Sequence, residues 1–225
     1  MHRSLLGLLP EELEAYALEL GEPRFRGRQI FHWLHRKHQL DPRRMTDLPD
    51  GLRARLPVFA SQEVRHLHSA DGQTSKLLLQ LRDGQQIEVV EMLAGPRKTI
   101  CVSTQAGCAM GCVFCVTGQF GFARNLEAGE IVEQVVRFEG VTNVVFMGMG
   151  EPLANYDETL RALRLLTHSE GVGLGARRIT LSTSGLVPQI QRLAGEGLQI
   201  GLAISLHAPN DELRSRIVPT NDKVG

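Results

Sequence analysis

Cys108, Cys112 and Cys115 stand in the spacing C-x-x-x-C-x-x-C. Three thiolates this close together can face one metal centre, and soft sulfur ligands favour zinc, copper(I) or iron–sulfur. Structural zinc wants four protein ligands, and a [4Fe–4S] cluster ordinarily takes four cysteines. A cluster held by three leaves one iron open to a small molecule. Cys101, the remaining cysteine, is a possible fourth zinc ligand. Its separation from Cys108 exceeds the usual finger spacing, however, and no paired histidines follow. A disulfide framework would need an oxidising compartment. The opening Met-His-Arg-Ser-Leu-Leu-Gly lacks the apolar core and cleavage site of a secretory signal, so a cytoplasmic location is expected. No apolar run reaches the roughly 18 residues that a membrane span needs.

Positioning such a loop requires a scaffold, and the composition is that of an ordinary globular protein: 225 residues, 42% hydrophobic, 22% charged, with a formal net charge of zero. Neutrality gives no global argument for nucleic acid. The local distribution is uneven, with nine Arg or Lys and three Asp between Arg24 and Arg55, interleaved with Phe25, Phe31 and Trp33 and with His32, His35 and His38. Such a segment can contact phosphates, or it can be a solvated helix face.

Residues 1–58 read as a small helical domain. Pro10 and two glutamates open one helix, Gly21-Glu22-Pro23 ends it, and a second helix is predicted over Phe25–His38 on the apolar face of Ile30, Phe31, Trp33 and Leu34. A short third helix follows Asp47–Gly51. Residues 59–98 change to a β period, with a hairpin of Ser75–Leu81 and Gln86–Met92 about the Asp83-Gly84 turn, broken at Gly95-Pro96. From 99 to 225 strands and helices alternate. Strands are predicted over Thr99–Ser103, Thr142–Met147, Arg178–Ser182 and Gln199–Leu206, and helices over Glu127–Phe138, Asp157–Thr167 and Val187–Ala194. Such alternation means a parallel sheet or barrel, with chemistry at the C-terminal strand ends. Four strands make half an eight-stranded barrel and leave an open edge. The expected fold is therefore α/β, a partial barrel truncated after its fourth strand.

The surrounding residues are more specific than the spacing alone. Cys101-Val-Ser-Thr-Gln-Ala-Gly-Cys108-Ala-Met-Gly-Cys112-Val-Phe-Cys115, Gly121-Phe-Ala-Arg-Asn-Leu126, Asn143-Val-Val-Phe-Met-Gly-Met-Gly-Glu-Pro152, Ser182-Thr-Ser-Gly185 and Ala203-Ile-Ser-Leu-His-Ala-Pro-Asn-Asp211 together resemble the RlmN family, radical S-adenosylmethionine (SAM) enzymes that methylate C2 of adenosine in 23S rRNA and tRNA, with Cfr a close relative. The resemblance runs from about Leu5 to Asp222. It implies a radical SAM (β/α) barrel behind a helical accessory domain, a [4Fe–4S] cluster on Cys108, Cys112 and Cys115 shielded by Phe114, and SAM as second cofactor. Gly150 and Glu151 would contact SAM, as would Ser182, Ser205, Leu206 and His207. Glu88 would be the proton acceptor; Glu91, three residues on, competes for that role but lies on the opposite strand face.

The resemblance also implies a ping-pong scheme. One SAM methylates a C-terminal cysteine. A second is cleaved reductively to a 5′-deoxyadenosyl radical, which takes hydrogen from the methylthio group. The carbon radical adds to adenine C2, a base removes the C2 proton, and Cys101 closes a disulfide with the methyl-carrying cysteine to release the product. The implied partners are rRNA and tRNA and an external, flavodoxin-like one-electron reductant; the implied state is a monomer. Two departures stand out. No cysteine follows Cys115, and the link from Arg137 to Asn143 is short. They leave open a non-catalytic cluster- and RNA-binding remnant, or a radical SAM enzyme with another substrate.

Overall fold

The computed structural model describes residues 4–58 and 60–220; the end of the resemblance at Asp222 lies outside them. Helix α1 (Pro10–Glu19) has Pro at its first position, and the Glu12 carboxylate accepts the Leu9 amide at 2.8 Å. Helix α2 (Phe25–Phe31) packs against α1 so closely that a Cβ on Gly27 would sit 2.3 Å from the Glu14 amide nitrogen. The predicted continuation to His38 is corrected: His32–Arg36 form a π turn, closed by the Lys37 amide on the His32 carbonyl at 3.0 Å. The wider turn leaves Leu34 and His35 both fully buried. Helix α3 (Asp50–Arg53) completes the region.

Strands β1 (Gln62–His68), β2 (Thr74–Gln80), β3 (Gln86–Ala94) and β4 (Arg97–Cys101) form an antiparallel meander. Strand β1 was not foreseen. All seven of its residues are exposed, so it carries no apolar alternation to read. Gly95-Pro96 turns the chain from β3 into β4 rather than ending the sheet. A two-stranded clip, β5 (Gln105–Gly107) with β6 (Phe122–Asn125), brackets the cysteine loop and the short helix α4 (Val116–Gln119).

Next come α5 (Ala128–Val136), β7 (Asn143–Phe146), α6 (Tyr156–Thr167), β8 (Ile179–Thr183), α7 (Val187–Ala194), β9 (Gly201–Ile204) and α8 (Asp211–Ile217). Strands β4, β7, β8 and β9 pair in parallel. The main sheet has seven strands in the order β1-β2-β3-β4-β7-β8-β9. The short link after α5 turns through Gly140 and still delivers β7 into parallel register with β4, Cys101 opposite Val145.

Side chains at alternate positions separate the two sheet faces. Ile87, Val89, Ile100, Val144, Phe146, Ile179 and Leu181 are buried in one core with residues of α5 and α6. The other face carries Glu88, Val90, Cys101, Val145, Thr180 and Ser182, all partly exposed. The same core includes Leu5, Leu13, Ile30 and Phe31. Strand β9 is a sheet edge, with Leu202 and Ile204 exposed. Among the described residues no helix is long and apolar enough to cross a membrane.

Candidate functional site

The cysteine loop folds back over the C-terminal ends of the parallel strands. Its base is fixed by the Cys108 amide on the Gly121 carbonyl at 2.8 Å, its middle by the Cys115 amide on the Cys112 carbonyl at 3.0 Å, and its flank by the Val113 amide on the Ile217 carbonyl of α8 at 3.1 Å. All four cysteines are free; Cys108 is buried, and Cys112 and Cys115 are partly exposed. Burial pushes the Cys108 and Cys112 thiols up, and the charges of Cys115 and of Glu151 push both further in the same direction. These thiols therefore sit within electrostatic reach of one another and hold their protons at neutral pH until a metal displaces them. Among the described residues no three His, Cys, Asp or Glu side chains converge on a single ion. Three thiols spread along one loop fit a cluster whose ligands are distributed over several irons.

The turn after β7 approaches the segment after β4 at backbone contact. The amides of Thr104 and Gln105 both donate to the Met149 carbonyl, at 2.8 and 3.2 Å, and the Gln105 side-chain carbonyl accepts the Glu151 amide at 2.8 Å. Gly150 has φ +96°, and a Cβ there would fall 2.5 Å from Gln105 Cβ, so only glycine fits. Glu151 is buried. Its Oε1 accepts the Leu153 amide at 3.1 Å and its Oε2 the Ser184 amide at 2.7 Å. The carboxylate expected to meet a ligand's amino group thus also fastens the turn after β7 to the turn after β8.

Ser182 and Ser205 come together across adjacent strand ends, with Oγ atoms 3.3 Å apart. Leu206 is largely exposed, and His207 has a left-handed backbone, φ 61°, uncommon for a residue with a side chain. The His207 ring lies 4.6 Å from that of Phe114 in the cysteine loop, so Phe114, itself half exposed, closes one side of the mouth. Arg214 of α8 donates to the carbonyls of Ser184, Ser205 at 3.3 Å and Leu206 at 3.1 Å, clamping two strand ends.

Strand register puts Glu88 and Cys101 on one face of the sheet, since Val90 is opposite Cys101 and Glu88 is two residues along; Glu91 is on the other. Lys76 Nζ donates to both Glu88 oxygens, at 3.2 and 3.3 Å. Glu91 is held by Lys98 at 3.0 Å and by Ser75. Burial raises the Cys101 thiol, partly offset by the Met147 backbone.

The basic segment is less free than its composition suggested. Arg24 and Arg28 both bind Glu14 at 2.5 Å, Arg43 binds Asp41 at 2.9 Å, Arg55 binds Glu22 at 3.1 Å, Arg53 pairs with Asp50, and Lys37 lies over the Trp33 ring.

Comparison with known proteins matches residues 102–224 to the radical SAM superfamily and residues 3–61 to the ribosomal RNA large subunit methyltransferase N-terminal domain. The ribosomal RNA large subunit methyltransferase N of Nitrosopumilus maritimus is 52% identical over 96% of this chain and 67% of its own length. The chain belongs to the RlmN family of the radical SAM superfamily. A probable dual-specificity RNA methyltransferase RlmN of Moorella thermoacetica is 48% identical over 96% of the chain and 66% of its own length. A crystal structure of a radical SAM methyltransferase from Sphaerobacter thermophilus superposes with a TM-score of 0.95 at 51% identity, covering 99% of this chain and 69% of that one. The chain thus spans about two thirds of the length of these relatives.

Set beside the family's motifs, the geometry adds residues that the sequence did not single out. Gln105 and Ser103 lie inside the quoted cysteine motif, so their identity was visible and their partners were not. Met149 likewise lies inside the quoted Asn143–Pro152 motif. Arg214 gave no signal, because an arginine on a polar helix is an ordinary residue.

Proposed function

We propose that this chain carries the cluster- and SAM-binding core of a methyltransferase acting at C2 of adenosine in 23S rRNA and tRNA. The observation that carries the reading is the convergence, at one end of four parallel strands, of the free three-cysteine loop, the Gly150–Glu151 turn, the Ser182–Ser205 pair and His207. The names borne by the relatives supply the RNA substrate class.

In this reading Cys108, Cys112 and Cys115 would hold the cluster, and SAM would bind beside it. When bound, that pair supplies the radical chemistry that an unactivated C2–H requires. The rest falls to the chain's own groups. Gly150 lets backbone approach the ligand, Glu151 sets the negative end of the mouth, and the hydroxyls of Ser182 and Ser205 offer donors and acceptors to ribose or carboxylate. Glu88, on the same face as Cys101, takes the C2 proton, and Lys76 orients its carboxylate. Cys101 is the resolving thiol. The family's methyl-carrying cysteine has no counterpart among residues 116–225, so this chain alone holds both cofactors without completing methyl transfer. The helical region contributes to RNA contact through its exposed arginines, and an external one-electron reductant is required. The reading places the protein in the cytoplasm as a monomer.

The test is anaerobic reconstitution followed by dithionite and SAM. Formation of methionine and 5′-deoxyadenosine supports the reading; a reconstituted cluster that never cleaves SAM favours the non-catalytic alternative.

A further inference from the structure

The antiparallel ladder between β3 and β4 ends at Val90 opposite Cys101. Glu88, two residues beyond, would leave its peptide groups on that side unpaired, a costly state for buried backbone. They are satisfied by Met149 in the turn after β7 and by Ser103 in the segment after β4. The Glu88 amide donates to Met149 Sδ at 3.3 Å, and the Glu88 carbonyl accepts Ser103 Oγ at 2.7 Å. The same Ser103 Oγ accepts the Met149 amide at 2.9 Å. Ser103 is fully buried, and its backbone is fixed on both sides by the buried Gln134 side chain, at 2.8 Å from its amide and 2.9 Å from its carbonyl. Its hydroxyl is therefore a fixed junction between Met149 and Glu88, one residue from Gly150 and two from Glu151.

We propose that Ser103 is a positioning residue. Its hydroxyl ties the turn assigned to SAM to the peptide that carries Glu88, so that filling the cofactor turn tightens the placement of the proton acceptor. This rests on the reading of Gly150, Glu151 and Glu88 given above. The hydroxyl touches neither cofactor nor substrate. It acts through Met149 and the Glu88 backbone, and serine suits the place because one small side chain both accepts and donates there. A serine that merely satisfied a stray carbonyl would stabilise the fold equally with or without ligand. A junction makes the order of Glu88 depend on occupancy of the turn.

Hydrogen exchange read by mass spectrometry on the reconstituted 225-residue chain separates the two, with the Glu88-bearing peptide followed with and without saturating SAM. In the wild type SAM is expected to slow exchange there by about fivefold or more, the lower end of ordinary coupling between sites. Ser103→Ala is expected to keep SAM affinity within about threefold while the slowing at Glu88 falls below about twofold. Ser103→Thr, which retains the hydroxyl, is expected to restore it. Undiminished SAM-dependent slowing in Ser103→Ala overturns the proposal, as does a wild type that binds SAM with no change at Glu88. A wild type that fails to bind SAM refutes the functional reading instead. The junction itself is then judged in the SAM-free chain, where Ser103→Ala must raise exchange at Glu88 and unchanged exchange overturns it.

Discussion

Glu151 Oε2 accepts the backbone amide of Ser184 at 2.7 Å while Oε1 accepts that of Leu153 at 3.1 Å. One buried carboxylate thus joins the turns after β7 and β8, and its charge also faces Cys108 and Cys112. Glu151→Ala orphans both amides, at about 1–3 kcal/mol for each. Glu151→Gln keeps an acceptor for one of them. We expect Glu151→Ala to lose stability in urea denaturation and to abolish measurable SAM binding, and Glu151→Gln to lose roughly half as much stability. Equal stability of wild type and alanine variant would show that the two turns do not depend on this carboxylate.

Cys112→Ala should remove one of three ligands. Reconstitution of the wild type is expected to give about one [4Fe–4S] cluster per chain and a brown protein. The alanine variant should take up markedly less iron and lose most of the absorbance near the visible charge-transfer bands. Full cluster absorbance in the variant would reassign the ligands.

His35 gives a pH dependence unrelated to the metal loop. It is fully buried, stacked 4.3 Å from Phe31, with neither ring nitrogen partnered. Burial, and secondarily the nearby His168 and His38, lower its pKa from 6.5 to about 3. The unfolded chain therefore binds a proton that the folded chain refuses. The stability is fully present above pH 6.5 and is lost as pH falls from there toward 3, on the order of 5 kcal/mol in all. His35→Leu should flatten the profile of urea midpoint against pH between 6.5 and 4; an unchanged slope would assign the acid sensitivity to other groups.

Much of this was legible in the sequence where local pattern and tertiary role coincide. Cys108, Cys112 and Cys115 announce themselves by spacing, and the runs around Val144 and Leu181 announce buried parallel strands. The rest depended on partners distant in sequence. Strand β1 has no buried face, and the clip strands β5 and β6 are too short to show a period. The cations between Arg24 and Arg55 look free in the sequence because Glu14 and Glu22, which neutralise several of them, both precede that segment. Ser103 and Met149 matter only because the β3–β4 ladder stops before Glu88, which no local signal reveals.

Methyl transfer needs one thiol to carry the carbon and another to resolve the adduct, and only Cys101 is available outside the cluster loop. The 225-residue chain should form no methylated adenosine from RNA. A version extended with the final third of a relative, including its cysteine, should form it. In that version Cys101→Ala should trap a covalent protein–RNA species on a denaturing gel, and Glu88→Gln should slow product formation by about 100-fold or more, the usual scale of general-base loss. Methylated adenosine from the unextended chain, above trace level, would point to a different methyl carrier.

The most direct measurement is the electron paramagnetic resonance spectrum of the reduced, reconstituted chain before and after SAM is added. With one iron left open by Cys108, Cys112 and Cys115, SAM should change the g values of the cluster signal, and SAM labelled with nitrogen-15 at its amino group should show hyperfine coupling to it. An identical spectrum with and without saturating SAM would contradict the account at its centre.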